Sequence, residues 1–483
     1  MKNSVPNHVI QDLAEWAIMH GVAFRQADNT ARHCPFSIAP IAIEASVFNY
    51  LKKVIPIVSK LINNLSEDHD FLQSSLINLA EAEPFFARLL SLYQQGHGTA
   101  ENRKFPKRQP LLLMRTDFMD DRVHGAKVIE FNGIAAGMAP FGQRASELHA
   151  YVKNQWPDTY SQFTESDGGK PVNNLGLEQM ALGISRAAKD IKAHFNESGA
   201  ALFVMVVQEN EDNVYDQHLL ELELKKLGVK TVRRTFEQLN SELSSGENGR
   251  LILKEHGGVD VVYLRAGYQF EDYCAPELDE DICCHTLSQV RLFIEQHYVA
   301  MNATISQQLA TSKSVQLLLT QMPEVEYQRW GLTLTEAKLV KSVLADMKPL
   351  NKETIAWFNS QATKSDWVLK NQGEGGGHCI FGDDITQKLL EIPEQDHSAW
   401  AFMKRLFPHE REKVALAIRN TEQTSINDLV SEIGLFSVFY KGQPATDFEG
   451  YAGYLIRSKP ASENEGGIHS GMGILDSLVL MND

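Results

Sequence analysis

Residues 367–382 read WVLKNQGEGGGHCIFG and hold a lysine, a carboxylate and three consecutive glycines. Gly375, Gly376 and Gly377 carry no Cβ, so their amides can approach an oxyanion closely. Lys370 could set a positive charge on phosphate oxygens, and Glu374 could offer a hard oxygen to magnesium. The glycines are not followed by the GK[ST] of a P-loop. They also lack the dinucleotide-binding spacing, because His378 and Phe381 stand where glycines would be needed. A flexible hairpin tip has the same composition, so this segment alone leaves the cradle and the tip both open.

Three other short stretches place polar groups on one face of a strand. In KVIEFN, Glu130 and Asn132 are two residues apart, so both side chains point the same way. A carboxylate and an amide carbonyl side by side are hard donors suited to magnesium; a solvated strand face is the plainer reading of the same spacing. In MRTDF, Arg115 and Asp117 share a face, as an internal ion pair would. In LIRSK, Arg457 and Lys459 do the same, and Glu465-Gly466-Gly467 follows. Two cations before a Gly-Gly loop could clamp a carboxylate or phosphate, although charged edge strands look alike.

Positioning these groups requires a sizeable scaffold, and 483 residues suffice for two or three domains. Residues 7–95 read as mainly helical, from apolar positions recurring at three and four in VFNYLKKVIPIVSKLINNL. LLLMRTDFM and AKVIEFNGIAAGM read as strands around the turn DDRVHG, and SDGGKPVNN as a loop. From 198, AALFVMVVQ, DQHLLELELKKLG, VKTVRRTF and GVDVVYLRAGY give strand, helix, strand and strand, a compact parallel α/β unit. Helices from 303 lead into the glycine-rich stretch, and SEIGLFSVFY and YAGYLIRSK add strands near the end. The net charge of -16 argues against a nucleic-acid or anionic-membrane footprint. No apolar run is long enough for a membrane span or a signal peptide. The five cysteines, Cys34, Cys274, Cys283, Cys284 and Cys379, are odd in number and irregularly spaced, as expected of free thiols in a reducing cytoplasm.

In their order along the chain, LLLMRTDFM, VIEFN, QENEDNVYDQ, VKTVRRTFEQL, VVYLRAGY, QQLATSKSVQ, WVLKNQGEGGG, SEIGLFSVF, LIRSK and EGGIHSGMGILD resemble the eukaryotic-type glutathione synthetases, members of the ATP-grasp ligases. The resemblance spans roughly residues 111–476. It implies an α/β (α+β) fold: an ATP-grasp core with a glycine-rich lid and an inserted parallel α/β substrate-binding domain. The expected divisions are 1–197 for the helical part and first core segment, 198–302 for the inserted domain, and 303–483 for the second core segment, with its lid at about 345–415. It further implies ATP and Mg2+, and a two-step reaction. ATP phosphorylates the cysteinyl carboxylate of γ-glutamylcysteine, and glycine's amine then attacks the acyl phosphate.

Carried over residue by residue, the resemblance makes Glu130, Asn132 and Glu374 the metal ligands. Lys313 and Lys370 become phosphate-binding lysines, and Gly375, Gly376 and Gly377 the loop over ATP. Met403, Leu406 and Glu432 fall at adenine and ribose positions, and Lys459 and Glu465 in the ATP site. Arg115, Lys370 and Arg457 are the expected catalytic residues, with Arg115 steadying the acyl phosphate and Arg457 holding a carboxylate. Glu211, Asn213, Gln217, Arg265 and Tyr268 match positions that hold the γ-glutamyl peptide. A homodimer in the cytoplasm, acting on small molecules, is also implied.

The departures are concentrated on the peptide side. A serine-bearing turn usual in the family is replaced at Ala135 and Gly137, which donate no side-chain hydrogen bond. His378 and Cys379 follow the glycine triplet in place of asparagines. Ile468 and His469 follow the second Gly-Gly, where small apolar residues are usual. Glutathione synthesis is therefore the leading expectation. A ligase with another peptide donor or amine acceptor, and a catalytically weakened nucleotide- or thiol-peptide-binding protein, are the alternatives.

Overall fold

In the computed structural model, residues 4–99, 102–166, 168–275, 285–373, 379–464, 466–469 and 472–481 are described. The run LLLMRTDFM lies in the strand Gln109–Asp121, and VIEFN ends the strand Gly125–Asn132. The two pair antiparallel. Asp121 shapes the turn between them, its Oδ1 accepting from the amides of Val123 and His124 at 3.0 and 2.9 Å.

Gln109–Asp121 is the spine of a 13-stranded mixed sheet. Leu429–Tyr440 runs antiparallel along one side of it, and Tyr451–Pro460 pairs with Leu429–Tyr440 in turn. Its apolar half is continuous because both faces are covered. Leu111 and Leu113 enter one buried cluster, and Leu112 and Met114 enter the other. Side chains alternate along a strand, so Arg115 and Asp117 continue the Leu111–Leu113 face at the point where the apolar layer ends.

The first residues of the same strand carry the parallel unit. Ala300 and Met301 pair with Gln109 and Pro110, and beyond them lie Val261–Leu264, Ala201–Val206 and Val229–Arg234, all parallel. The helix Val214–Lys226 connects the strands Ala201–Val206 and Val229–Arg234, as DQHLLELELKKLG predicts. The link strand Ala300–Asn302 has only three residues, too few for a period-two pattern, and the sequence reading did not find it.

A separate four-stranded sheet is formed by Met347–Pro349, Trp400–Lys404, Trp367–Asn371 and Cys379–Phe381, in that order. It has its own small core, which includes Phe358, Trp367, Leu369, Ile385 and Phe402. The helices Lys352–Ser360 and Asp384–Glu391 supply Phe358 and Ile385 to that core.

Within 7–95 the helices Asn7–Met19 and Ala45–Ser66 form as predicted. The reading of that region as mainly helical missed four strands, Ala23–Arg25, Ala31–His33, Phe36–Ser37 and Ile41–Glu44. None exceeds four residues, and the last two are held by distant partners, Phe36 by Leu475 and Ile41–Glu44 by Leu478–Met481. Such pairing leaves no local periodicity to read. Among the described residues no helix is long and apolar enough to cross a membrane.

Asp476 closes the strand Ile474–Asp476 in full burial. Burial pushes its carboxyl up to about 6, more than Arg411 and the Ser37, Ser477 and Ser458 hydrogen bonds offset. The folded chain therefore binds this proton more tightly than the unfolded chain, whose value is 3.8. The stability it contributes is complete below about pH 4 and is lost as pH rises through about 6. Asp476→Asn should melt above the wild type by a margin that widens across this interval. Thermal melts at several pH values check this, and a margin independent of pH would show that the carboxyl titrates normally.

Candidate active site

Strand register brings the sequence-predicted residues together. Arg115 lies opposite Asn132, and Asp117 opposite Glu130. On the other side of the spine Asp117 faces Gly434, and one strand further Glu432 faces Arg457 and Val430 faces Lys459. Asp117, fully buried, accepts at the centre: from Arg115 Nε at 2.6 Å and Nη2 at 2.7 Å, Asn132 Nδ2 at 2.9 Å and Arg457 Nη2 at 3.0 Å. Arg457 also pairs with Glu432. Burial opposes charge on Asp117, but the Arg115 and Arg457 guanidiniums outweigh it and hold the carboxyl below its usual range. The bidentate fork needs an empty neighbour. A Cβ on Gly434 would stand 2.8 Å from Asp117 Oδ1 and 2.9 Å from Arg115 Cδ.

Immediately before Glu130 the pairing of the two strands shifts by one residue, and Ile129 falls out of register. Its carbonyl accepts from Lys370 Nζ at 3.3 Å and Gln316 Nε2 at 3.4 Å. The bulge thus docks the small sheet onto the large one beside Glu130. Lys313 is the first residue of the helix Lys313–Gln321, capped by Ser312, and its Nζ reaches the Gly373 carbonyl at 2.7 Å. Two lysines therefore flank one carboxylate. Burial alone would raise the Glu130 carboxyl, but the Lys313 and Lys370 charges overcome it and keep the group below its ordinary value.

A cavity of about 440 Å³ opens here. Arg115, Glu130, Asn132, Lys370, Met403, Leu406, Glu432, Arg457, Lys459, Ile468 and His469 all line it. So do Met119, Val368, Phe381, Arg405 and Phe407, which the sequence reading did not single out. Arg405 lies over the rings of Phe381 and Phe407 at 5.3 and 5.4 Å. Alternation in WVLKN and WAFMK was the available signal for Val368 and Met403, which face each other across the small sheet. A larger groove of about 900 Å³ beside the helix Ala45–Ser66 contains none of the predicted residues. The expected Glu374, Gly375, Gly376, Gly377 and Glu465, with His378, lie outside the described residues.

The predicted peptide-binding residues form a second group that adjoins the first at Gly137 and Met138. Arg115 Nη1 contacts the Gly137 carbonyl at 3.4 Å, and Asp216 Oδ1 accepts from the Met138 amide at 3.1 Å. Arg265 is locked to Asp216 at 2.5 Å and lies 3.7 Å from Glu211. Burial pushes the Glu211 carboxyl up, with Arg265 and a Gln217 hydrogen bond offsetting part of the effect. Asn213 Oδ1 and Arg265 Nε are buried without a hydrogen-bond partner among the described residues. Tyr268 OH accepts from Gln208 at 3.3 Å. Ala135 adopts a left-handed φ of 50°. A Cβ on Gly137 would meet Arg265 Nη2 at 2.4 Å, so a serine there is incompatible with this placement of the guanidinium.

The profile of eukaryotic glutathione synthase, ATP binding domain, matches residues 3–480. The chain is 29% identical to the chloroplastic glutathione synthetase of Solanum lycopersicum, over 93% of this chain and 78% of that protein. It is 28% identical to the glutathione synthetase large chain of Schizosaccharomyces pombe, over 96% of each. It is 26% identical to the glutathione synthetase of Homo sapiens, over 96% of this chain and 94% of the human protein. A solved glutathione synthetase-like effector from Globodera pallida, in apo form, shares the fold with a TM-score of 0.72 at 16% identity, covering 99% of both chains.

The matching family and relatives define the class as an ATP-dependent ligase. The chain belongs to the eukaryotic glutathione synthase family, as residues 111–476 led one to expect.

Removing Asp117 would strand Arg115 and Arg457 without their shared counter-charge. Asp117→Ala should cost about 3 kcal/mol of folding stability, read by denaturant titration. A loss well below about 1 kcal/mol would mean the cations do not depend on it.

Proposed function

We propose that the protein joins γ-glutamylcysteine to glycine at the expense of ATP, forming glutathione, with magnesium at Glu130 and Asn132. The observation that carries this reading is the charged Glu130 carboxylate between Lys313 and Lys370, in a cavity whose other wall bears Arg115 and Arg457. Asn132 spends its Nδ2 hydrogens on Asp117 and the Arg115 carbonyl. Its Oδ1 is then the atom left for a cation, beside a carboxylate oxygen, and such a hard pair fits magnesium. Glu374 completes the set in this proposal. ATP supplies the phosphoryl group that turns the peptide's carboxylate into a good acyl donor, ADP leaving, and magnesium held at these residues would offset the phosphate charge.

The chain's own residues do the rest. Lys313 and Lys370 neutralise phosphate charge, Lys370 from a strand and Lys313 from a capped helix start, so neither must be ordered on binding. Met403 and Leu406, with Val368 and Phe381, give an apolar slot for the base, while Glu432, Lys459 and Glu465 bind the remaining polar parts of ATP. Arg115 and Arg457 orient the reacting carboxylate: Arg115 offers it Nη1, whose contact with the Gly137 carbonyl is a long 3.4 Å, because Nε and Nη2 are committed to Asp117. Glu211 and Asn213 face the ammonium of the γ-glutamyl end, and Arg265 and Gln217 face its carboxylate, with Tyr268 alongside. Residues 198–302 act as the inserted peptide-binding domain, and about 345–415 as the lid. The working form is a cytoplasmic homodimer.

A second reading, a different donor or acceptor, is favoured by Arg265 filling the space over Gly137 and by the polar ring of His469. Phosphate release by the purified chain with ATP, magnesium and a panel of γ-glutamyl dipeptides and amines separates the two. Release that requires γ-glutamylcysteine and glycine supports glutathione synthesis; release with another pair only selects the second reading. Absence of release with every pair would refute both. Glu130→Gln should lower kcat at least about hundredfold by removing a metal ligand's charge, and near-normal turnover in it would reject that role.

A further inference from the structure

The pocket wall formed by Gly466, Gly467, Ile468 and His469 is held by a contact that spans much of the chain. His469 Nδ1 lies 3.3 and 3.4 Å from the two carboxylate oxygens of Asp212. The imidazole rests on the ring of Phe24, with centroids 4.4 Å apart. Ile468 is buried in the same cluster as Phe24 and Met138. Asp212 sits between Glu211 and Asn213, and the hairpin that carries Phe24 grips this segment as well. The Arg25 amide donates to the Asp212 carbonyl at 2.9 Å, and Arg25 Nη2 donates to the Glu211 carbonyl at 2.9 Å.

Three segments distant in sequence therefore meet at one point beside the second residue group. The side chains of His469 and Asp212 are 44% and 49% exposed. A pair so exposed adds little to folding, so its effect falls on where the two segments stand. The hydrogen bond is also felt by the acid, since His469 draws the Asp212 carboxyl below its ordinary value. The small sheet that carries Lys370 and Met403 is docked through the Ile129 carbonyl.

We infer that Asp212 is a positioning residue which, through His469, fixes the 466–469 wall against the 211–213 segment and so sets the peptide side of the pocket without acting on the nucleotide side. The inference rests on the ligase reading for the identity of the peptide. Its order of dependence is specific: Asp212 and His469 act as one unit, and losing either releases the same wall.

Calorimetric titration of the full chain with γ-glutamylcysteine, and separately with ATP and magnesium, tests it. Asp212→Ala and His469→Ala should each weaken peptide binding about fivefold, and the double variant no further. ATP binding should stay within about twofold in all three. Asp212→Asn keeps an acceptor for the imidazole and should regain most of the loss. Factors that multiply in the double variant, an equal loss of ATP affinity, or unchanged peptide affinity would each overturn the inference. Thermal melts within about two degrees of the wild type exclude unfolding as the cause. Peptide binding that shows this pattern without turnover would fell the ligase reading and leave the bridge standing. Turnover by the wild type with no effect of Asp212→Ala would do the reverse.

Discussion

Everything at the centre of this molecule hangs on the carboxylate of Asp117. It is fully buried, and four donated hydrogen bonds from Arg115, Asn132 and Arg457 converge on it. A buried charge of this kind is tolerable only when its partners are fixed in place. Here they are fixed by strand register: three strands, Gln109–Asp121, Gly125–Asn132 and Tyr451–Pro460, each contribute a residue to the same face. The strand between, Leu429–Tyr440, contributes an absence, Gly434, because any side chain there would fall on the fork.

From that node the polar groups sort into three duties. Arg115 and Arg457 are held with their charges partly spent, which leaves them directional rather than free. Asn132 is turned so that its amide nitrogen faces Asp117 and its oxygen does not. Glu130, one step along, is balanced chiefly by Lys313 and Lys370, and the bulge just before it provides the carbonyl on which Lys370 rests. The Asp117 node and the Glu130 carboxylate are thus adjacent and feel each other's charges. The peptide-side group begins where Gly137 lets Arg265 lie flat against the backbone.

Much of this was legible in the residues. The alternation in MRTDF, KVIEFN and LIRSK placed Arg115 with Asp117, Glu130 with Asn132 and Arg457 with Lys459, because side chains in a strand alternate whatever the fold. The run LLLMRTDFM read as a strand, and the fold covers its apolar half on both faces. Asp117 was seen beside Arg115 but not as a node, since nothing local says that Arg457, 340 positions away, shares it. Gly434 was passed over for the same reason. The short strands of the first 44 residues were missed because two to four residues carry no period.

The order of its motifs along the chain was enough to fix the family, because each motif is a local pattern of residue types. Which of the polar groups neutralise one another is not local. Alternation put Arg115 beside Asp117; only pairing with Leu429–Tyr440 and Tyr451–Pro460 gave Asp117 a second cation, Arg457. His469 read as one departure at the edge of a loop. Only the fold brought Asp212 and Phe24 to it, because three segments from the beginning, middle and end of the chain had to pack before that imidazole had a partner.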